Sequence, residues 1–391
     1  MKSESLPPPD AAATDRGLLA ALNRRTAGLA AGAAVDLTDL EHIDPYGPEA
    51  FEKLARRFGL ASAASGGWQL ERQPRWRPEW VRPEHEAQCF DLFEAAFGYR
   101  MDPALWRWKY RHAPSPGMGV WRDDRLVAFY GAMPRPVRFL GEPASTVQIG
   151  DVMSHPAERG VMTRSGPFQI ACSTFIDRSV GYGRPQLFGF GFPTAKALQV
   201  AQKLGLYEAV DQICELTWSA GPSWTERLLR CTPAGPQDGA AIDKLWHEMA
   251  QDFRDSIIGV RDASYVEERY RKHPTVAYEC VLVRRVLTGA PQGLVVVRRP
   301  EPDHRIELMD LVAPKRNFPA LIAAVRRWAA DRGAKRVTAW LTESHAGVLA
   351  ATSPQRQQLD LVVPANVWSP GPSAEQLRGR WWLMAGDTDF R

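Results

Sequence analysis

Two parts of this chain carry the same sequence pattern. Residues 102–114 align without gaps on residues 262–274, and they share an aspartate, a basic residue, a tyrosine, an arginine and a proline at matching positions. The order continues beyond them, because residues 151–156 correspond to residues 310–314, and a helical stretch and a short apolar strand follow each copy. Matches at successive elements in the same order are typical of a duplicated fold. The sequence therefore predicts two units of one architecture.

The length and composition suit more than one globular domain. The chain has 391 residues, of which 45% are hydrophobic and 24% are charged. We predict a disordered tail and a helical extension over residues 1–80, a first unit over residues 81–220 and a second unit over residues 221–391. The apolar spacing of Leu18 and Leu22 indicates a helix in the extension. This extension could be a small helical module or a lid over the first unit.

Charge and cysteine content argue against several classes of protein. The net charge is only +4, which predicts no nucleic-acid partner. No apolar run reaches the roughly 18 residues that indicate a membrane span. The five cysteines include no Cys-x-x-Cys pair, so neither a disulfide framework nor a zinc site is indicated, and we expect no metal. The N-terminus lacks the apolar core of a secretory signal, so the cytoplasm is the expected location.

The pattern that is most informative about function lies in residues 145–206. A β-like run over residues 145–153 leads into a turn that carries two arginines and two glycines, and a helix is predicted from Pro167. A short strand at residues 187–190 and a helix that ends in Lys-Leu-Gly-Leu at residues 203–206 follow. A strand, a glycine-bearing turn and a helix start can present unpaired N–H groups to a phosphate. Taken alone, such a turn is often only a turn.

This order of elements, with its Pro-x-x-Arg-Gly turn and Lys-Leu-Gly-Leu ending, resembles the acyl-CoA-binding half of the GNAT superfamily of N-acyltransferases. The resemblance implies an α/β fold of two GNAT-like units, each a mixed, mostly antiparallel sheet flanked by helices, after the helical extension. It implies an acyl-CoA donor, with acetyl-CoA expected, and direct transfer to an amine of a small molecule or peptide in a ternary complex. The residues expected to bind the cofactor are Val152, Met153, Arg159, Gly160, Val161, Arg164, Ser165 and Gly166.

The sequence departs from the family pattern at three positions. The second glycine of the family's phosphate loop falls on Met162. The position at which many members carry a general-acid tyrosine is Ala201, and that of a frequent asparagine is Thr194. Acid and base groups are therefore expected elsewhere in the chain or from water.

Two residues are candidates for proton transfer. Asp151, on the strand beside the expected thioester, could deprotonate the acceptor's ammonium group. It could equally cap a loop, because the repeat keeps an aspartate at Asp310, where no chemistry is expected. Tyr207 follows the second helix and could protonate the leaving thiolate, although an ordinary strand aromatic is the alternative.

Aromatic residues could form the acceptor groove. Trp106 and Tyr110 lie four apart on a predicted helix, and Phe192 follows the short strand. The resemblance implies that they contact the substrate, whereas an aromatic stripe at helical spacing is more often part of a core.

The second unit has lost the features of a phosphate site. Residues 313–319, between its strand and its helix, include no glycine. We predict a degenerate unit that packs against the first unit, completes the acceptor cleft or binds a partner. Its acidic turn at Asp387 and Asp389 is interpreted as solvated, with cation or amine binding as the alternative.

Two other functions stay open. One is a non-catalytic GNAT-like binding or scaffold protein, which the altered glycine spacing would suit. The other is an aminoacyl-type transferase on the same doubled fold, which would need a basic groove. A homodimer is a further possibility.

Overall fold

A computed structural model describes residues 11–64, 66–159, 166–221, 228–300 and 304–390. The chain forms a mixed α/β fold with two seven-stranded sheets and one three-stranded sheet. The predicted fold class is confirmed. The helices are α1 (Ala11–Thr26), α2 (Thr38–Glu41), α3 (Pro48–Arg57), α4 (Glu86–Phe97), α5 (Pro103–Tyr110), α6 (Pro167–Ser179), α7 (Ala195–Lys203), α8 (Gly239–Asp252), α9 (Ala263–Val266), α10 (Phe318–Ala330) and α11 (Ala374–Leu377). The strands are β1 (Ala34–Val35), β2 (Leu60–Ser62), β3 (Trp68–Leu70), β4 (Arg77–Trp80), β5 (Gly117–Arg122), β6 (Arg125–Phe139), β7 (Glu142–Ser154), β8 (Gly189–Phe190), β9 (Tyr207–Ser219), β10 (Leu229–Pro233), β11 (Ile257–Gly259), β12 (Glu279–Arg285), β13 (Pro291–Arg298), β14 (Arg305–Val312), β15 (Arg336–Thr342), β16 (Gln355–Asn366) and β17 (Trp381–Trp382).

The N-terminal extension contains helices α1 to α3, as its apolar spacing predicts, but also a small sheet in the order β1-β3-β2. It is fastened to the first unit by Arg178 of α6. The Arg178 Nε donates to Asp15 Oδ1 at 2.8 Å, and its Nη1 donates to Asp44 Oδ2 at 2.9 Å. All three side chains are buried. Breaking one buried partner would leave an uncompensated charge, so this contact fixes the extension in place.

The first large sheet runs in the order β4-β5-β6-β7-β8. The strand β4 lies at the end of the stretch that is predicted as a helical extension, so the extension also contributes a strand to this sheet. The far half of the long strand β6 also pairs with β11, and β11 pairs in parallel with β17. Two short strands from the second half of the chain therefore complete the first sheet.

The second large sheet has the order β10-β12-β13-β14-β15-β9-β16. Its strand β9 lies before the predicted boundary at residue 220, yet it pairs with β15 and β16. Strands are thus exchanged in both directions between the halves, and the strand pairing does not follow the sequence boundary.

The sequence repeat corresponds to a repeated local structure. Asp102 caps α5 by accepting from the N–H of Ala104 at 2.7 Å, and Asp262 caps α9 by accepting from the N–H of Tyr265 at 2.8 Å. Pro103 occupies the first turn of α5. An aspartate cap therefore starts the corresponding helix in both copies.

Candidate active site

A cleft opens where two strands of the first sheet separate. The parallel strands β7 and β8 pair only at Val147 with Gly189 and at Gln148 with Phe190. Beyond these pairs lies a cavity of about 700 Å³ between the end of β7 and helices α6 and α7. Its wall is largely apolar and aromatic and includes Phe93, Phe97, Tyr99, Tyr130, Ile149, Phe168, Phe190, Phe192, Leu198 and Phe390. Such a cleft can take an elongated ligand.

A β-bulge shapes the strand that lines this cleft. Gly131 of β6 pairs with Gly150 of β7, but Phe129 pairs with Met153, so an additional residue is accommodated on β7. Asp151 lies at this point with a φ of +48°. Non-glycine residues adopt positive φ uncommonly, and bulges of this kind re-aim side chains and main-chain groups. The bulge brings the Asp151 side chain to the edge of the cavity.

Asp151 belongs to a cluster of charged groups that the sequence does not reveal. The Lys109 Nζ lies 2.6 Å from Asp151 Oδ2 and 2.8 Å from Asp389 Oδ2. The hydroxyl of Tyr110 donates to Asp151 Oδ2 at 2.8 Å. The side chains of Lys109, Asp151 and Asp389 are only 3%, 10% and 9% exposed. Two carboxylates and one ammonium group leave a surplus negative charge beside the cavity.

The surroundings of this cluster shift its proton affinities. Burial raises the pKa of Asp151, and this effect exceeds the opposing influence of the Lys109 ammonium group. Burial works against the charged form of Lys109, but the carboxylates of Asp389 and Asp151 together hold its pKa above the ordinary value. Asp151 is therefore a stronger base than a carboxylate in water.

Two glycines make room for the cluster. A Cβ on Gly150 would lie 2.4 Å from Asp389 Oδ2, and a Cβ on Gly131 would lie 2.3 Å from the Tyr110 hydroxyl oxygen. Both distances are too short for a real contact, so side chains at these paired positions would displace the acidic and phenolic groups. Because both positions are glycines, the C-terminal segment that carries Asp389 can approach β7.

Tyr207 lies on the wall of the same cavity. Its hydroxyl contacts the hydroxyl of Tyr130, and both rings are buried. Burial raises the pKa of Tyr207 well above its ordinary value, so the phenol stays protonated at neutral pH. The nearby thiol of Cys172 has its pKa raised to about 12 by burial.

Only some of the residues that are predicted to bind the cofactor border the cavity. Val152 is exposed and Met153 is buried, and both border the cavity. Arg159 is also at its border, where its guanidinium group donates to the carbonyl oxygens of Ala96 at 2.9 Å and Ser154 at 3.1 Å. Gly166 precedes the first turn of α6. The remaining four predicted residues, Gly160, Val161, Arg164 and Ser165, lie outside the described residues.

The three residues that are predicted to bind the substrate do not lie together in the structure. Phe192 borders the cavity. Trp106 packs in a cluster with its ring 4.5 Å from that of Tyr110 and 5.4 Å from that of Phe129, and it does not line the cavity in the described part of the chain. Tyr110 is buried and directs its hydroxyl to Asp151. Its position suits orienting that carboxylate rather than holding a substrate.

The sequence reasoning missed Lys109 and misjudged Asp389. The interpretation of the acidic turn as solvated is wrong, because Asp387 and Asp389 have side chains that are 9% exposed and are held by ion pairs. The repeat contained a usable signal for Lys109, since the matching position in the second copy is also basic, at Arg269.

The second unit contains a counterpart of this cluster. Tyr270 donates to Asp310 Oδ2 at 2.8 Å, as Tyr110 does to Asp151. The guanidinium group of Arg261 pairs with Asp310 at 2.8 Å and with Asp387 at 2.5 Å. Here the C-terminal segment lies against β15, where the N–H of Thr342 donates to the carbonyl of Leu383 at 3.1 Å.

Comparison with known proteins identifies the first unit. Residues 79–165 match the family model described as an acetyltransferase (GNAT) domain. This segment contains the end of β4, the strands β5 to β7 and the bulge at Asp151. The chain therefore contains a GNAT domain, as its sequence pattern indicates.

Solved structures share the fold over a longer stretch. A probable N-acyltransferase from Enterococcus faecalis V583 has a TM-score of 0.58 and 15% identity, over 74% of this chain and 71% of that chain. A GCN5-related N-acetyltransferase from Anabaena variabilis has a TM-score of 0.59 and 13% identity, over 75% and 73%. One from Kribbella flavida has a TM-score of 0.56 and 17% identity, over 74% and 70%. At these identities the likeness concerns the fold, and it extends beyond a single GNAT domain.

No curated protein sequence gives a significant match to the chain. In the ranges that the structure describes, no helix has the length and apolar character needed to cross a membrane. Within those same ranges, no group of three or more histidine, cysteine, aspartate or glutamate side chains is arranged as a metal site.

Proposed function

We propose that the protein is an acyl-CoA-dependent N-acyltransferase, with acetyl-CoA as its donor and a small-molecule or peptide amine as its acceptor. The observation that carries this proposal is the pair of carboxylates, Asp151 and Asp389, held by Lys109 at the point where β7 and β8 separate. An amine acceptor and an acyl donor can meet there beside a base.

The donor would lie along β7. Within the described residues, no strand pairs with β7 on the β8 side beyond Gln148, so its main-chain groups can receive the amides of a pantetheine arm as an added strand. Main-chain N–H groups around the bulge at Asp151 would polarise the thioester carbonyl. The phosphates would lie toward the start of α6, near Arg159 and Gly166. Residues 160, 161, 164 and 165 of the same turn are proposed to contribute.

The acceptor would lose its proton to Asp151. The surplus negative charge of the cluster attracts an ammonium group, and the raised pKa of Asp151 makes this carboxylate a better proton acceptor. The amine nitrogen then attacks the thioester carbon, and the carbon–sulfur bond breaks with its electron pair on sulfur. The nitrogen gives up its second proton to water as the amide forms. Asp389 also pairs with Lys109, so it helps to hold the ammonium group that lies against Asp151.

The leaving thiolate would take its proton from Tyr207 or from water. Tyr207 is protonated at neutral pH and borders the cavity. A covalent enzyme intermediate on Cys172 is disfavoured, because burial raises the pKa of that thiol to about 12 and thiolates, not thiols, are the nucleophiles. Direct transfer in a ternary complex is therefore the mechanism that we propose.

The first test is binding followed by turnover. Acetyl-CoA at millimolar concentration should raise the melting temperature, and adding an accepted amine should release free CoA thiol. An absence of stabilisation by acetyl-CoA would refute the transferase proposal. Stabilisation without thiol release across a broad amine panel would favour the non-catalytic binding protein. The cytoplasmic location and a homodimer stay predictions.

A further inference from the structure

A second cavity adjoins the cleft and lies between the two halves of the chain. Its volume is about 200 Å³, and Phe190 borders both cavities. The rest of its wall comes from the end of α5, the middle of β6, β11, α9 and the segment around β17. These residues include Arg111, Arg135, Val260, Tyr265, Arg269 and Trp381. A substrate in this cavity would be adjacent to the donor cleft.

Arg135 is the unusual group in this cavity. Its Nε and one Nη donate to the same atom, Gln148 Oε1, at 3.0 and 2.8 Å. No carboxylate in the described ranges forms an ion pair with it, and burial lowers its pKa. Since a guanidinium group has five N–H donors, three are left for a ligand. Arg135 is therefore a half-buried, oriented cation that forms no direct ion pair within the part of the chain that the structure describes.

The carboxylates around this cavity already have partners. Asp387 pairs with Arg261 at 2.5 Å, and Glu268 pairs with Arg111 at 3.1 Å. Asp262 caps α9. None of them forms an ion pair with Arg135, although the carboxylates of Asp387 and Asp389 are near enough to favour its charged form. The remaining N–H donors of Arg135 can therefore receive an anionic group. Carboxylates bind arginine with two parallel hydrogen bonds.

One side chain, that of Gln148, connects this cation to Asp389, the carboxylate that shares Lys109 with the candidate base Asp151. Gln148 accepts from Arg135 with its Oε1 and donates from Nε2 to Asp389 Oδ1 at 3.3 Å. A ligand carboxylate at Arg135 and a ligand amine at the Asp151–Asp389 pair would therefore be close together. Amino acids carry both groups on one carbon atom.

The size and lining of the cavity narrow the choice further. An apolar cavity of about 150 Å³ holds benzene, so about 200 Å³ suits an amino acid better than a peptide. Phe190, Val260, Trp381 and Leu383 give the wall an apolar part. We propose that this cavity is the acceptor site and selects small amines that carry a carboxylate, of the class of apolar amino acids, with Arg135 binding the carboxylate. This inference rests on the proposed N-acyltransferase function.

A matched set of acceptors tests the proposal. L-phenylalanine, L-phenylalaninamide and 2-phenylethylamine share an amine and an aromatic body, but only the first carries a carboxylate. With acetyl-CoA, kcat/KM for phenylalanine should exceed that for the other two by about tenfold to a hundredfold. Equal values for the three acceptors would overturn the proposal while leaving the transferase function intact.

Variants connect that preference to one residue. Arg135→Gln should raise KM for phenylalanine by at least about tenfold and remove the preference for the carboxylate. Arg135→Lys should retain part of the preference, because lysine keeps the positive charge but cannot bind a carboxylate in bidentate fashion. Arg138→Gln is the control, since Arg138 lies on the same strand and lines neither cavity. An unchanged preference in a folded Arg135→Gln protein would overturn the proposal. If that variant fails to fold, the comparison of acceptors on the wild-type protein still decides.

Binding without chemistry separates this proposal from the proposed function. The probe is 3-phenylpropanoate, which has the carboxylate but no amine and cannot be acylated. Calorimetry should detect its binding to the wild-type protein and to Arg138→Gln, with at least tenfold weaker binding to Arg135→Gln. Such binding in a protein that acylates no amine would refute the transferase function and retain the carboxylate site. No binding of the probe to the wild-type protein would refute the site.

Discussion

The two halves of this chain use one framework with different outcomes. In both, a tyrosine hydroxyl donates at 2.8 Å to an aspartate on the strand that precedes a helix, Tyr110 to Asp151 and Tyr270 to Asp310. Asp310 is fully buried against Arg261, whereas Asp151 borders a cavity of about 700 Å³. The difference lies in what occupies the space beyond the paired strands.

In the second half, the protein fills that space itself. Trp381 and Trp382 are buried, and Met384 forms a β-bridge with Leu341 of β15. Gly386 lies so close to Met309 that a Cβ would be 2.9 Å from the Met309 carbonyl oxygen. The same segment continues to Asp389 in the first half. The proposed site is thus open in the first half, and the C-terminal segment of the second half delivers Asp389 to it.

The largest expected effect distinguishes the two aspartates. Asp151→Asn should lower kcat by about a hundredfold to ten-thousandfold, the range for loss of a general base, with little change in acetyl-CoA binding. Asp310→Asn should leave kcat per folded molecule unchanged and lower the melting temperature. Steady-state kinetics with thermal melts would measure both, and equal losses of kcat would contradict the division of roles.

The next effect compares the two cations. Arg261→Met removes the partner of two buried carboxylates and should lower the free energy of unfolding by about 3–5 kcal/mol. Lys109→Met should cost less, about 1–3 kcal/mol, because water in the cavity can solvate Asp151 and Asp389. Urea denaturation measures both variants. A loss of stability for Lys109→Met that equals or exceeds the loss for Arg261→Met would show that water does not reach the cluster around Lys109.

A smaller effect tests the approach of the C-terminal segment to β7. Gly150→Ala should displace the Asp389 carboxylate, lower turnover by about tenfold and cost about 1–3 kcal/mol of stability through overpacking. Gly189→Ala is the matched control, because its nearest neighbour would be 3.4 Å away, an ordinary contact. Turnover that is unaffected by Gly150→Ala would remove Asp389 from the site.

The smallest expected effect is a loss of stability at acid pH that arises in the second half of the chain. Burial lowers the pKa of His345, which contacts Phe253 and Trp382, to about 4. The unfolded chain binds this proton near pH 6.5, so the stabilisation is present above that value and is lost as pH falls toward 4. His345→Gln should flatten the pH dependence of the melting temperature over that window, whereas the exposed His42→Gln should not. Identical profiles for all three proteins would contradict this assignment.

Local signals in the sequence predicted local structure well. Asp102 and Pro103 start α5, Pro167 starts α6, and the aligned copies contain the same tyrosine–aspartate contact. These features depend on residues close together in the chain or on a pattern that repeats. The same local signals predicted that Asp151 lies on the strand that lines the cleft.

Non-local pairing was beyond the sequence. Periodicity identifies a strand but not its partner, so nothing indicated that β9 pairs in the second sheet or that β11 and β17 extend the first. Asp389 was interpreted as solvated because acidic residues are mostly exposed. Its burial depends on Lys109 and Gly150, which are distant in sequence and share no pattern with it.

The exchange of strands between the sheets has a practical consequence. A cut near residue 221 would separate β9 from β15 and β16, and it would remove β11 and β17 from the end of β6. Each fragment would then present a long unpaired strand edge, which is a template for aggregation. Neither half can be produced as a truncated protein with its sheet intact, so experiments on the cleft require both halves in one polypeptide or co-expressed fragments that reassemble.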